Sequence, residues 1–275
     1  MEETKTILRN LIAKSDTNNK LFKRNILKEY LQVLVLDFIY SSSEYSQLFF
    51  YGGSCLAHCF GLNRLSEDLD FVDVSKKIEI AKLANDLENY FKKNTDLKVT
   101  TTVQKFRIYL KFPILHDLEL ADKGESDLLF LKVEIFQEFD FAKDYKTEII
   151  PLFEFNKSIL IKTFDLPTLM ATKIRAVLHR RWTKTSKSGE TLATVKGRDY
   201  FDLMWYLEKG VKPNLKCIEG VNSNEELKKL LLEAVDKADN KSIALDLESF
   251  IDKSDFVKNL SKNIKDILKR DIGTL

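Results

Sequence analysis

The stretch from Tyr51 to Asp73, YGGSCLAHCFGLNRLSEDLDFVD, constrains this chain more than any other. A short apolar run, Gln47 to Tyr51, reads as a buried strand, and Gly52-Gly53-Ser54 turns it into a helix through Phe60. At such a turn the free backbone N–H groups and the helix dipole favour an anion. Glycines there let a phosphate come close to the main chain. After thirteen intervening residues stands Asp68-Leu69-Asp70, and Leu69 to Val74 reads as a second strand. Residues i and i+2 of a strand face one side, so both carboxylates project together while Leu69 and Phe71 enter the core. Two like charges so close repel, and a cation between them relieves the repulsion. Alone, the glycine turn reads as a structural bend and the acid pair as exposed strand ends. In succession on consecutive elements they point to a metal-and-phosphate site.

The rest of the chain supplies a setting for that pair of elements. The first 45 residues read as helical, with Ile26 to Tyr40 the most apolar part. Lys76 to Lys93 reads as an amphipathic helix with Ile80, Ala84, Leu87 and Phe91 on one stripe. Phe106, Ile108, Leu110 and Phe112 alternate with polar residues, as a half-buried strand does, and Leu97 to Val103 is its expected hairpin partner. Leu128 to Phe139 is almost wholly apolar and is expected to be a central strand. Within it Glu134 shares a face with Lys132 and Phe136. An acid in so apolar a strand is costly to bury without a partner, which can be a metal or a neighbouring Lys or Arg. Strand signals stop near residue 163. Asp165-Leu166-Pro167 then opens the first of five expected helices, at about 166–181, 198–209, 224–238, 242–251 and 255–270. The last has Phe256, Leu260, Ile264 and Ile267 at helical spacing. The expected architecture is α+β, a mixed sheet with flanking helices over residues 1–163 followed by an all-helical part over residues 164–275.

Composition narrows the class. With 275 residues, 44% hydrophobic and 31% charged, the chain can bury a sizeable core. No run approaches the ~20 apolar residues that span a bilayer, and Met1-Glu2-Glu3 is acidic where a signal peptide is basic. The odd cysteine count, Cys55, Cys59 and Cys217, reads as reduced thiols, so a cytoplasmic location is expected. The formal charge of +2 says little, but its distribution says more. Between Lys173 and Arg198 lie eight basic residues, Lys173, Arg175, Arg180, Arg181, Lys184, Lys187, Lys196 and Arg198, against one acid, Glu190. Such a run is either a solvated loop or a patch for triphosphate or RNA.

The order apolar strand, Gly-Gly-Ser, Asp-x-Asp resembles the signature of the DNA polymerase β-like nucleotidyltransferase superfamily. The fuller stretch, with Arg64, Ser66, Asp68, Leu69, Asp70 and Phe71, resembles the narrower pattern of the AbiEii/AbiGii abortive-infection toxins. Two later blocks extend the resemblance, LMATKIRAVLHR from Leu169 to Arg180 and GRDYFDL from Gly197 to Leu203, so it runs from about residue 48 to 207. The resemblance implies a polymerase β-like fold in residues 1–163 and a helical domain, 164–275, that completes the active site. It implies Asp68, Asp70 and Glu134 as ligands of Mg²⁺, with Mn²⁺ as a substitute, and an NTP held by Gly52, Gly53, Ser54, Arg64, Ser66, Lys173 and Arg180. Lys173 would neutralise the departing pyrophosphate, and Asp199 or Asp202 would orient Lys173 or the acceptor. The implied acceptor is RNA, in particular the 3′ end of tRNA, and the implied partner is a cognate antitoxin encoded alongside. The segment from Arg181 to Lys196 departs from the family by its length and is expected to be a surface loop. Two other readings stand beside this one: transfer to a small-molecule or protein hydroxyl, and a non-catalytic nucleotide-binding module.

Overall fold

The computed structural model describes residues 3–140, 142–185 and 188–275. They form two compact units, the first of residues up to 139 with 148–163, the second of residues 140–147 with 164–275.

The first unit opens with helices α1 (Thr4–Ala13) and α2 (Lys20–Ser41). Asn19 starts α2 by accepting the backbone N–H groups of Leu21 and Phe22, two of the donors a helix end leaves orphaned. There follow β1 (Phe49–Tyr51), α3 (Gly52–Phe60), β2 (Asp68–Val72), α4 (Ile80–Asn94), β3 (Thr100–Gln104), β4 (Arg107–Pro113), β5 (Leu128–Phe136), β6 (Thr147–Glu154) and β7 (Lys157–Phe164). The strands make one mixed sheet in the order β3-β4-β5-β2-β1-β7-β6. β2 runs antiparallel to β1 and parallel to β5, while β4 is antiparallel to β5.

Side-chain alternation splits this sheet into a dry face and a polar one. Leu129, Leu131, Val133 and Ile135 of β5, Leu69 and Phe71 of β2, and Ile108, Leu110 and Phe112 of β4 are buried. Helices α2 and α4 pack over these strands, with the Phe91 and Phe112 rings 5.1 Å apart. Each such apolar side chain contributes about 1.5–3 kcal/mol when fully buried. The alternate positions, Asp68, Asp70, Lys132, Glu134 and Arg107, therefore share the other face.

Three expectations change in this unit. The helix expected from Lys76 begins only at Ile80, because Asp73 turns the chain first. Its carboxylate accepts from the Ile78 N–H at 2.8 Å and the Ser75 hydroxyl at 2.6 Å, and Lys76 takes φ +55. With the later start Leu83 joins Ala84, Leu87 and Phe91 on the buried stripe, and Ile80 is only half-buried. The hairpin of β6 and β7 was not expected as strands. Its outward residues Ile149, Phe153 and Leu160 are exposed and apolar, which erases the inside–outside alternation, and Pro151 within β6 reads in a sequence as a strand breaker.

The second unit is helical: α5 (Leu166–His179), α6 (Gly197–Glu208), α7 (Asn224–Lys237), α8 (Asn240–Leu247) and α9 (Ser254–Ile272). Asp165, Ser223 and Asp239 cap α5, α7 and α8 with their side-chain oxygens. Almost all of α6 is buried, and α8 and α9 pack against it. In α9 the buried stripe is Val257, Leu260, Ile264 and Leu268. The expected Phe256 is exposed and Ile267 half-buried, one position off the core. Strand structure does not stop at residue 163. A small hairpin, β8 (Lys184–Thr185) with β9 (Thr191–Ala193), lies within the expected surface loop, and Ala193 anchors it by its burial. Lys187 of the basic run lies outside the described residues.

Candidate active site

Strand register builds the acidic cluster. In the parallel pair of β2 and β5, Asp68 stands opposite Lys132 and Asp70 opposite Glu134. Paired residues of neighbouring strands point to the same side, so all four groups meet on the polar face. Lys132 Nζ lies 2.5 Å from Asp68 Oδ2 and 3.8 Å from Glu134 Oε1, and Arg107 Nε donates to the same Glu134 oxygen at 2.8 Å. Burial pushes the Asp68 carboxyl above its ordinary range, the charge of Glu67 adds to this, and Lys132 only partly opposes it. For Lys132 burial works the other way, but Asp68 and then Glu134 outweigh it and hold the ammonium above the usual lysine range.

The glycine turn abuts this cluster. β1 pairs Tyr51 with Asp70, so the chain enters the turn directly beside that acid. Gly52 adopts φ +80, and a methyl group there would sit 2.5 Å from Asp70 Oδ2. The bend and the carboxylate are thus in contact, which only glycine allows. A methyl on Gly53 would lie 2.5 Å from Arg64 Nη2 and 3.3 Å from Ser66 Oγ. Arg64 and Ser66 are buried beneath the turn, and Arg64 also donates to the Leu65 carbonyl at 2.9 Å. Ser54 is fully buried. Its hydroxyl donates to the Asp68 carbonyl and lies 3.0 Å from the Ser66 hydroxyl. These three side chains hold the turn onto the strand that carries the acids.

A network that the sequence reading left aside supports the same turn. His58, on α3, is buried, with Nδ1 2.9 Å from Glu154 Oε2 and Nε2 2.9 Å from Gln32 Oε1. The Gln32 amide donates to the Ser66 carbonyl at 3.0 Å. A lone histidine in an apolar helix gave no sign of this, because its partners come from α2 and β6.

In the second unit, α5 and α6 bring Lys173, Arg180, Asp199 and Asp202 together. Lys173 Nζ is 2.9 Å from Asp199 Oδ1 and 2.8 Å from Asp202 Oδ2, and Arg180 Nη1 is 2.7 Å from Asp199 Oδ2. Both acids are buried. Burial alone would raise Asp199, but the charges of Lys173 and Arg180 overcome it and hold the carboxyl below its ordinary range. Much of the basic run is neutralised in this way. Arg175 pairs with Glu219 at 3.0 Å, and Arg198 pairs with Asp246 at 3.2 Å while its guanidinium lies 3.9 Å from the Phe250 ring centre. Arg181 and Lys184 are exposed, and Lys196 stands 5.9 Å over the half-buried Trp182 ring.

The family described as nucleotidyl transferase AbiEii toxin, type IV toxin–antitoxin system, matches residues 36–274, most of the chain. The chain belongs to the AbiEii family. It is a nucleotidyltransferase of that toxin class. Among solved structures it is similar to MenT4, a nucleotidyltransferase toxin from Mycobacterium tuberculosis H37Rv, with a TM-score of 0.55 and 11% identity over 98% of this chain and 89% of that one. JHP933 from Helicobacter pylori shares 16% identity over 91% of this chain and 94% of that one, at a TM-score of 0.48. A second H. pylori structure shares 17% identity over 90% of this chain and 95% of that one, at a TM-score of 0.46. No curated protein sequence matches the chain. The likeness to MenT4 is one of fold, and it agrees with the α+β architecture expected of an AbiEii nucleotidyltransferase. Among the described residues no helix is long and apolar enough to cross a membrane.

Among the described residues no group of three or more His, Cys, Asp or Glu side chains is arranged to hold a metal as it stands. The donor chemistry nevertheless fits: three carboxylates are the oxygen ligands that Mg²⁺ and Mn²⁺ take. An ammonium already occupies the gap between two of them, so the gap accepts a cation. Lys132 and Arg107 are the members of this constellation that sequence reasoning did not single out. Their signal was present as basic residues alternating with apolar ones on two strands, but only the register gives it meaning.

Proposed function

We propose that this AbiEii nucleotidyltransferase transfers a nucleoside monophosphate from an NTP to an RNA hydroxyl, with the 3′ end of tRNA as acceptor, and so blocks translation. The observation that carries this reading is the contact of the Asp70 carboxylate with the Gly52 bend, on the face that also bears Asp68 and Glu134. An acid pair beside a phosphate-accepting turn is what phosphoryl transfer needs, since its catalysis is mostly positioning and charge stabilisation. Asp68, Asp70 and Glu134 would hold Mg²⁺, or Mn²⁺ in its place. When bound, such an ion neutralises phosphate charge and activates an attacking hydroxyl. The backbone N–H groups at the start of α3 would donate hydrogen bonds to the triphosphate. Ser54, Arg64 and Ser66 would serve by keeping that backbone fixed rather than by reaching the nucleotide, because their polar ends are turned into the protein.

Lys173 would neutralise charge on the departing pyrophosphate, held in readiness by Asp199 and Asp202. Exposed Arg181 and Lys184, with Trp182 as a stacking surface, suit a nucleic-acid acceptor. The protein would act in abortive infection, in the cytoplasm, restrained by a cognate antitoxin. The test is incubation with each labelled NTP and total tRNA, with Mg²⁺ or with EDTA. Label on tRNA that requires Mg²⁺ and disappears in Asp70→Asn is expected. Metal-independent labelling, or full labelling by Asp70→Asn, contradicts the proposal.

A further inference from the structure

Lys132 occupies an unusual place. It lies on β5 directly opposite Asp68 and two residues before Glu134, and its ammonium bridges the two, 2.5 Å from Asp68 Oδ2 and 3.8 Å from Glu134 Oε1. Nothing in the chemistry of nucleotide transfer requires a fixed ammonium inside the carboxylate group that is to hold a divalent ion. Two cations in one gap repel strongly at this range. Without any cation, however, Asp68, Asp70 and Glu134 would repel one another on adjacent strands of a single sheet.

We infer that Lys132 is a built-in stand-in cation, which holds Asp68 and Glu134 together in the metal-free protein and is displaced when a divalent ion enters. This inference rests on the metal reading given above. Two features make the exchange physically open. The Lys132 side chain keeps 31% of its surface exposed, so its four-carbon stem has room to swing the ammonium into water. Glu134 does not depend on Lys132 alone, because Arg107 holds the same oxygen at 2.8 Å from the neighbouring strand β4. Lys132 is thus a positioning residue. It keeps the carboxylates grouped before the ion arrives, and it sets how tightly the ion is held by competing with it.

The test is Mn²⁺ binding, read as loss of the free-ion electron paramagnetic resonance signal, together with the melting temperature of the metal-free protein. Wild type, Lys132→Met and Lys132→Gln are compared. Both variants are expected to melt several degrees below wild type without metal, to bind Mn²⁺ at least about tenfold more tightly (~1.4 kcal/mol), and to regain most of the lost melting temperature when Mn²⁺ is added. A merely structural lysine would lower the melting temperature while leaving Mn²⁺ affinity equal or weaker, and that result overturns the inference while leaving the metal reading intact. Mn²⁺ binding by neither wild type nor variant overturns the metal reading itself, and the inference with it.

Discussion

Replacing Gly52 by alanine separates two effects that a glycine substitution usually mixes. The first is backbone strain. Gly52 holds φ +80, a conformation that costs an L-residue about 1–2 kcal/mol, or roughly 2–4 °C in melting temperature for a chain of this size. The second is displacement of a carboxylate. The added methyl would lie 2.5 Å from Asp70 Oδ2, closer than such atoms ever approach, so the acid must move by an appreciable fraction of an ångström. A misplacement of about 1 Å at a reacting centre can lower the rate by about a hundredfold. Gly61 supplies the control. It ends α3 with φ +73, and no atom lies within 4 Å of where its methyl would be. Gly61→Ala should therefore lose a similar 1–2 kcal/mol of stability while keeping its transfer rate within about twofold. Gly52→Ala should lose both, by about a hundredfold in rate. Label transfer to tRNA, measured well below the melting transition of either variant, is the assay. Equal rates in the two variants would refute the claim that contact between the bend and Asp70 positions the acid.

Three further outcomes follow from named contacts. Asp199→Asn removes the charged partner that the mostly buried Lys173 and the exposed Arg180 share, leaving Lys173 to Asp202, and should cost about 1–3 kcal/mol at neutral pH. Because the Asp199 carboxyl is held below the ordinary aspartate value of 3.8, wild type keeps this stability above that value and loses it as pH falls through the depressed one, so denaturant midpoints of wild type and variant should converge in strong acid. Arg198→Met removes the pair with Asp246 and the stacking on Phe250, and should cost about 1–3 kcal/mol, with label transfer within a few-fold of wild type when assayed in the cold. A large loss of transfer in a folded Arg198→Met would show that Arg198 acts on substrate. His58→Leu strips partners from Glu154 and Gln32 and should lower stability by about 2–3 kcal/mol. Denaturant unfolding at neutral pH checks this, and an unchanged midpoint would contradict it.

What the sequence could convey here was local. Gly-Gly-Ser before an apolar helix and Asp-Leu-Asp on a strand each carry a periodicity that a reader can follow, and the fold keeps both, as α3 and β2. The helices after residue 165 were legible for the same reason, since their caps and apolar stripes repeat within a few turns. Non-local pairing was not legible. That β2 runs parallel to β5, with Asp68 beside Lys132 and Asp70 beside Glu134, depends on how the sheet is assembled across more than sixty residues. The roles of Lys132, Arg107 and His58 are hidden with it. Local chemistry also overrode periodicity in places. Asp73 delays α4 by gripping Ile78, and a one-residue shift of the α9 stripe exposes Phe256 in favour of Val257.

Anomalous diffraction from crystals grown with Mn²⁺ and a non-hydrolysable NTP tests the central claim most directly. A manganese peak within bonding distance of Asp70 and at least one of Asp68 and Glu134, with the triphosphate at the start of α3, is the predicted result. Manganese found elsewhere, or a nucleotide bound with no ion at these three acids, would contradict the account.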